Sequence, residues 1–281
     1  MSGPAARRVY RFKSRFAGHR PRFNGLSFNR MIPNLLTMLG LCAGLTSMRF
    51  ALDGRFGTAA FAIIVAACID GLDGRIARLL KATSRFGAEF DSLADFLCFG
   101  VAPPFVLYLW SLQSAHGYGF MPCILFSVCM ALRLARFNAA IDAPHPAYTY
   151  NFFTGVPAPA GAGLALFPLF LGLEARSLDL PWLLNVALFP PLNAVVLIGT
   201  ALLLVSTLRV WNFKNFKVPA QYALPLLLGT GLVAALLVAD PWGGFAAIGV
   251  AYIAMLPFSR RSYRRLRQAA EGEPAEGEPR G

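Results

Sequence analysis

Charge is scarce in this chain. Only 14% of its 281 residues are Asp, Glu, Lys or Arg and 56% are hydrophobic, whereas soluble domains carry roughly a quarter charged residues. That shortage excludes a water-soluble globular protein of this length. Histidine is rarer still: His19, His116 and His145 share no spacing and read as one basic-arm residue and two loop residues. The five cysteines (Cys42, Cys68, Cys98, Cys123 and Cys129) are odd in number and mostly lie inside apolar runs. They have neither zinc-site spacing nor a disulfide framework, and read as small, reduced packing residues. No signal peptide is expected, because the first apolar run starts past residue 30, is too long, and lacks a small-x-small cleavage site.

What the chain has instead is long apolar stretches. Eight are read, at about 33–52, from 56 to where Asp70 begins, 87–112, 120–135, 155–173, 190–208, 222–238 and 242–258. They predict an all-α polytopic membrane protein with about eight transmembrane helices. Three segments follow: a basic arm over 1–30, a transmembrane catalytic domain over 31–258, and a basic stub with a disordered acidic tail over 259–281. Pro33 is expected to open the first helix, and Pro103-Pro104 to bend or break the third. Residues 174–183 are expected to form an external loop. Trp211, Tyr222 and Trp242 sit at span ends as interfacial anchors.

The net charge of +12 invites a nucleic-acid reading, but its distribution argues against one. Eight Lys/Arg and no acids occupy residues 1–30, and five Arg cluster between Ser259 and Arg267. Both clusters adjoin apolar segments, as juxtamembrane segments facing anionic lipids do, so membrane lipids are expected as partners and nucleic acid is not. Lys and Arg concentrate on the two termini and on alternate loops, which predicts both termini and the four-Asp region on the cytoplasmic side of the membrane.

Acids are few, and they are clustered. Outside the tail there are ten, and half of them (Asp70, Asp73, Glu89, Asp91 and Asp95) fall within 26 positions. At about 100° per residue, Asp70 and Asp73 share one helical face, and so do Asp91 and Asp95. Gly74 and Ala77 keep the first helix thin beside its acidic face, and Gly87 lies one turn before Asp91. Helix capping accounts for one or two such residues but not for two facing pairs, and ionisable groups at membrane depth mark function. If the helices fold back on each other the carboxylates converge and repel, unless hard cations with a preference for oxygen ligands sit between them; a pair of divalent ions suits them.

The pattern Asp70-x-x-Asp73-Gly74-x-x-Ala77-Arg78, eight residues, Gly87-x-x-x-Asp91-x-x-x-Asp95 resembles the signature of the CDP-alcohol phosphatidyltransferase family at every position. The resemblance covers roughly residues 32–258 and implies a six-helix core carrying the motif. The stretches 32–37, 84–95, 99–103, 133–138 and 155–159 resemble the branch of the family formed by bacterial phosphatidylserine synthases, with Cys98 where Ser is expected. The resemblance implies transfer of a phosphatidyl group from CDP-diacylglycerol to L-serine, with release of CMP. It also implies Mg²⁺ or Mn²⁺, two ions per site, held by Asp70, Asp73, Asp91 and Asp95, with Asp95 as the base for the serine hydroxyl. Gly74, Ala77, Arg78, Ser84 and Gly87 would bind CDP-diacylglycerol. Arg133, Arg136 and Asn138 are candidates for the serine carboxylate, and the polar loop over 142–153 could close over the headgroup. A homodimer is expected by the same resemblance.

Rival readings keep the chemistry and change the acceptor to glycerol-3-phosphate, choline or inositol phosphate. A rival of another class is a cation-coupled transporter, which would place its carboxylates near the bilayer midplane and interrupt helices in both halves. Here all four Asp lie at helix ends in the first half.

Overall fold

The computed structural model describes residues 28–140, 152–206, 209–211 and 223–255. The basic arm up to residue 27, the 142–151 loop, Tyr222, the 259–281 segment, His19 and His145 lie outside the described residues. The architecture is helical throughout, apart from one short ribbon.

Helices α1 (Phe28–Leu52) and α2 (Phe56–Leu79) form an antiparallel pair. Their turn is closed by an Arg49–Asp53 ion pair and by Arg55, whose N–H bonds the Phe50 carbonyl at 2.9 Å and whose guanidinium lies 4.8 Å from the Phe50 ring centre. Gly54 takes the turn with φ of 73°, a left-handed conformation that a side chain disfavours. Pro33 does not open α1 as expected but lies inside it. Its missing N–H leaves a carbonyl unpaired only in the first turns, where the loss is small.

The third span, Arg85–Trp110, is continuous. It comprises α3 (Arg85–Asp95), a π-helical segment (Phe96–Val101) and α4 (Ala102–Trp110). The expected break at Pro103-Pro104 does not occur, because the two prolines occupy the first turn of α4 directly after the π turn. Pro104 cannot donate to the Gly100 carbonyl, and Ser127 Oγ does so instead at 2.8 Å. The π segment crosses α1 closely. A Cβ on Gly44 would lie 3.2 Å from the Cys98 backbone, and Cys98 Sγ sits 3.4 Å from the Gly40 carbonyl oxygen. Only small residues permit that approach, which accounts for Cys98 as a packing residue.

A 3₁₀ stretch (Leu112–Phe120) leads to α5 (Met121–Ala140). Next come α6 (Ala158–Ala165) and α7 (Phe167–Ser177), bent by 47°, and α8 (Pro181–Leu188) and α9 (Pro190–Val205), bent by 57°. The external loop expected over 174–183 is therefore mostly helix. Glu174 lies in α7, with its carbonyl accepting from the Leu178 N–H at 3.0 Å and its carboxylate from the Gly243 N–H at 3.1 Å, and Pro181 restarts the helix in its first turn. Strands β1 (Phe152–Thr154) and β2 (Arg209–Trp211) pair antiparallel, with Phe153 opposite Val210, and tie together two segments read as loops. The described chain ends with apolar helices α10 (Ala223–Ala239) and α11 (Pro241–Met255). Trp242, expected as an interfacial anchor, stacks on Phe170 with ring centres 6.3 Å apart.

Four helices are long and apolar enough to cross a membrane, and each bent pair reaches that length together. With the shorter α10 and α11 they match the eight apolar stretches in order. A core of Phe99, Val106, Leu107, Phe126, Met130, Leu197 and Leu204 joins α4, α5, α9 and the π segment. Where α8 breaks into α9, buried Asn193 donates from Nδ2 to the Ala187 carbonyl (2.8 Å), the Phe189 carbonyl (3.0 Å) and Ser111 Oγ (3.0 Å), and Ser111 Oγ donates to the Leu188 carbonyl at 2.7 Å. The bend thus frees the Ala187 and Leu188 carbonyls, which Asn193 and Ser111 satisfy, while the Phe189 carbonyl also accepts from the Asn193 N–H at 3.2 Å. Asn193→Leu is expected to destabilise the protein by about 1–3 kcal/mol through those orphaned groups, read as a lowered melting temperature in detergent, whereas Val195→Ala, on the exposed face of the same helix, should have a smaller effect.

Candidate functional site

Ser84 starts the acidic region. Its Oγ caps α3 by accepting from the Gly87 N–H at 3.0 Å, fixing where the helix begins and hence which way Asp91 and Asp95 face. Gly87 lets α1 approach, since a Cβ there would lie 3.0 Å from Asn34 Oδ1. With the helices so placed, carboxylate oxygens of Asp70, Asp91 and Asp95 all come within 4.8 Å of one another. Asp73 is buried and borders the same narrow gap, together with Gly40, Ala66, Cys98 and Phe99. Its Oδ2 accepts a hydrogen bond of 2.8 Å from Thr37 Oγ1, which comes from α1.

Among the described residues, no Lys or Arg forms an ion pair with Asp73, Asp91 or Asp95, so pairing with Arg75, Arg78 or Arg85 does not explain the cluster. Carboxylates this close repel unless a cation shares them. All-oxygen donors of this kind suit a hard divalent ion such as Mg²⁺ or Mn²⁺. The residues fit such a group.

Beside the gap opens a cleft of about 270 Å³, reached from Asp73 and Asp91. All five residues expected to hold the nucleotide lipid (Gly74, Ala77, Arg78, Ser84 and Gly87) line it. Gly74 has open space where a side chain would be, so its backbone is bare to the cleft. Pro33, Asn34 and Thr37, none of them expected in the site, form the α1 wall. The signal was present in Ile32-Pro-Asn-Leu-Leu-Thr37, but no helical periodicity tells which helix packs against the acidic face.

The three candidates for the serine carboxylate diverge. Arg133 lies near enough to Asp95 for their charges to act on each other, and its Nε donates to the Val156 carbonyl at 2.6 Å. Arg136 instead caps the end of α9, donating to the carbonyls of Val205 (2.9 Å) and Ser206 (3.3 Å). Asn138 Nδ2 donates to Ser92 Oγ at 2.9 Å and so ties α5 to α3 beside Asp91.

An apolar helical bundle with an acidic, cation-suited gap opening on a polar cleft defines an integral membrane protein with a metal-type site. The family profile described as CDP-alcohol phosphatidyltransferase matches residues 30–190, and a second, described as CDP-alcohol phosphatidyltransferase 2, matches 221–257. A CDP-diacylglycerol–serine O-phosphatidyltransferase of Mycobacterium tuberculosis is 40% identical over 245 residues, covering 86% of this chain and 82% of that protein. One of Helicobacter pylori is 36% identical over 203 residues (72% of this chain, 81% of that protein), and one of Bacillus subtilis is 30% identical over 184 residues (66% and 92%). The chain belongs to the CDP-alcohol phosphatidyltransferase family.

Thr37 borders the gap and its hydroxyl bonds Asp73, so it orients a candidate ligand. Replacing such outer-shell partners typically weakens metal binding about 10–100-fold. Thr37→Val is accordingly expected to weaken Mn²⁺ binding about tenfold, followed by the electron paramagnetic resonance signal of free Mn²⁺, with Thr37→Ser near wild type.

Proposed function

We propose that this chain transfers the phosphatidyl group of CDP-diacylglycerol to the hydroxyl of L-serine, giving phosphatidylserine and CMP. The observation that carries this reading is that the carboxylates of α2 and α3 converge at one end of a cleft whose walls hold the rest of the family motif. The choice of serine rests on the names of relatives that align with most of this chain.

In this reading Asp70, Asp73, Asp91 and Asp95 hold two divalent ions, Mg²⁺ or Mn²⁺. When bound, such ions would draw negative charge off the pyrophosphate and stabilise the departing CMP. The chain's own residues do the remaining work. Gly74 lets the nucleotide approach the backbone, and Arg78 supplies charge-assisted hydrogen bonds to phosphate. Ser84 and Gly87 set the opposite wall, with Ala77 leaving room between. Asp95 takes the proton from the serine hydroxyl, which must come within hydrogen-bond reach. The oxygen then attacks the β-phosphorus, the bond to CMP breaks, and the phosphodiester forms. Arg133, beside Asp95, balances the serine carboxylate, while Arg136 and Asn138 hold α9 and α3 in place around it. Both termini and the cleft face the cytoplasm of a bacterial inner membrane, as the Lys/Arg distribution supports, and the chain works as a homodimer.

The test is CMP release by purified protein with CDP-diacylglycerol and Mn²⁺ or Mg²⁺, run in parallel with serine, glycerol-3-phosphate, choline and inositol phosphate. Release with serine alone is expected, and Asp95→Asn should lower it by at least about 10²–10⁴-fold, the range typical of losing a general base. Release with another alcohol and not with serine would overturn the acceptor assignment.

A further inference from the structure

A second cavity, of about 320 Å³, lies between α2, α6 and α11. Phe99 is a wall of both this cavity and the gap between the carboxylates, so one side chain separates them. Its walls are apolar except for Cys68 and Tyr252. The Tyr252 phenol oxygen is buried, and among the described residues it has no hydrogen-bond partner. Buried hydroxyls are nearly always paired, so one left over in a ligand-sized cavity calls for a ligand atom.

Arg133 supplies the second observation. Its Nε holds the Val156 carbonyl, but among the described residues its two terminal nitrogens have no hydrogen-bond partner. Its charge acts on Asp95 on one side and on Tyr252 on the other. A guanidinium edge and a phenol O–H near it are therefore both left with donors, and the guanidinium also acts on the carboxylate that would take the acceptor's proton.

We propose that Tyr252 is a specificity-determining residue for the acceptor: its phenol O–H donates a hydrogen bond to the serine carboxylate, whose charge Arg133 balances. The inference rests on the serine reading above and names the part of the pocket that recognises the end of serine remote from the reacting hydroxyl. One guanidinium and one neutral donor suit a single carboxylate. They suit a dianionic phosphate less well, since it calls for more positive charge, and they offer nothing to the trimethylammonium of choline, which favours aromatic faces.

The experiment uses the full chain in detergent, titrating serine at saturating CDP-diacylglycerol and Mn²⁺ and following CMP. Tyr252→Phe is compared with wild type and with Tyr108→Phe, a tyrosine on α4 packed edge-on against Phe120. For Tyr252→Phe the KM for serine should rise about tenfold, the scale of one lost hydrogen bond to a charged group. kcat and the KM for CDP-diacylglycerol should stay within about twofold of wild type, and Tyr108→Phe should change none of the three. The melting temperature without serine should not fall, because the hydroxyl removed has no partner, but the stabilisation produced by added serine should shrink. An unchanged serine KM, parallel changes in kcat and both KM values, or a lowered serine-free melting temperature would each overturn the proposal, the last by showing the hydroxyl to be a structural contact. Wild-type protein that releases CMP with another alcohol but not with serine would instead overturn the reading on which the proposal rests.

Discussion

Carboxylates gathered at the ends of two membrane helices repel one another, and the rest of the structure is arranged around holding them together. The oxygens of Asp70, Asp91 and Asp95 come within 4.8 Å of one another, and Asp73 closes the same gap. A cation bound there would offset the repulsion, and a frame that already holds the ligands close lowers the cost of assembling the site. Here the frame is local and specific. Ser84 fixes the start of α3, Thr37 holds Asp73, Asn138 ties α3 to α5 through Ser92, and small residues allow the backbones to approach.

Rigidity is maintained further away by side chains that satisfy backbone groups left open by irregular helices. Gly100 loses a donor to Pro104 and regains one from Ser127, while the Ala187 and Leu188 carbonyls freed at the α8–α9 bend are taken by Asn193 and Ser111. In an apolar surrounding an unpaired carbonyl is costly, so each break carries its own polar repair. Arg136 belongs to the same class of device, capping the α9 carbonyls close to where β1 and β2 join the flanking segments.

The membrane class and the acidic cluster were legible because both depend on short-range pattern: apolar length for the spans, and spacings of three and four for the shared faces of Asp70 with Asp73 and of Asp91 with Asp95. Gly74, Ala77, Arg78, Ser84 and Gly87, which line one polar cleft, were singled out by the family resemblance that the motif carries and not by periodicity. What stayed hidden depends on partners far along the chain. Nothing local to Thr37 says that its hydroxyl meets Asp73, and nothing local to Pro103-Pro104 says that Ser127 will repair the ladder. Glu174 looked like loop because its partner, the Gly243 N–H, lies 69 residues away. Arg133 and Arg136 are equivalent in sequence as two basic residues at one helix end; only the packing of α9 separates them.

Two cavities flank the carboxylates: the polar cleft includes Asp73 and Asp91 in its walls, and the apolar cavity with Tyr252 shares Phe99 with the gap. The central claim is that the carboxylate gap is a divalent-metal site, and it is tested most directly by anomalous diffraction at the manganese edge from crystals grown with Mn²⁺ and CDP. The account predicts two anomalous peaks, each coordinated by oxygens from Asp70, Asp73, Asp91 and Asp95. Manganese bound elsewhere, with that gap empty, would contradict it.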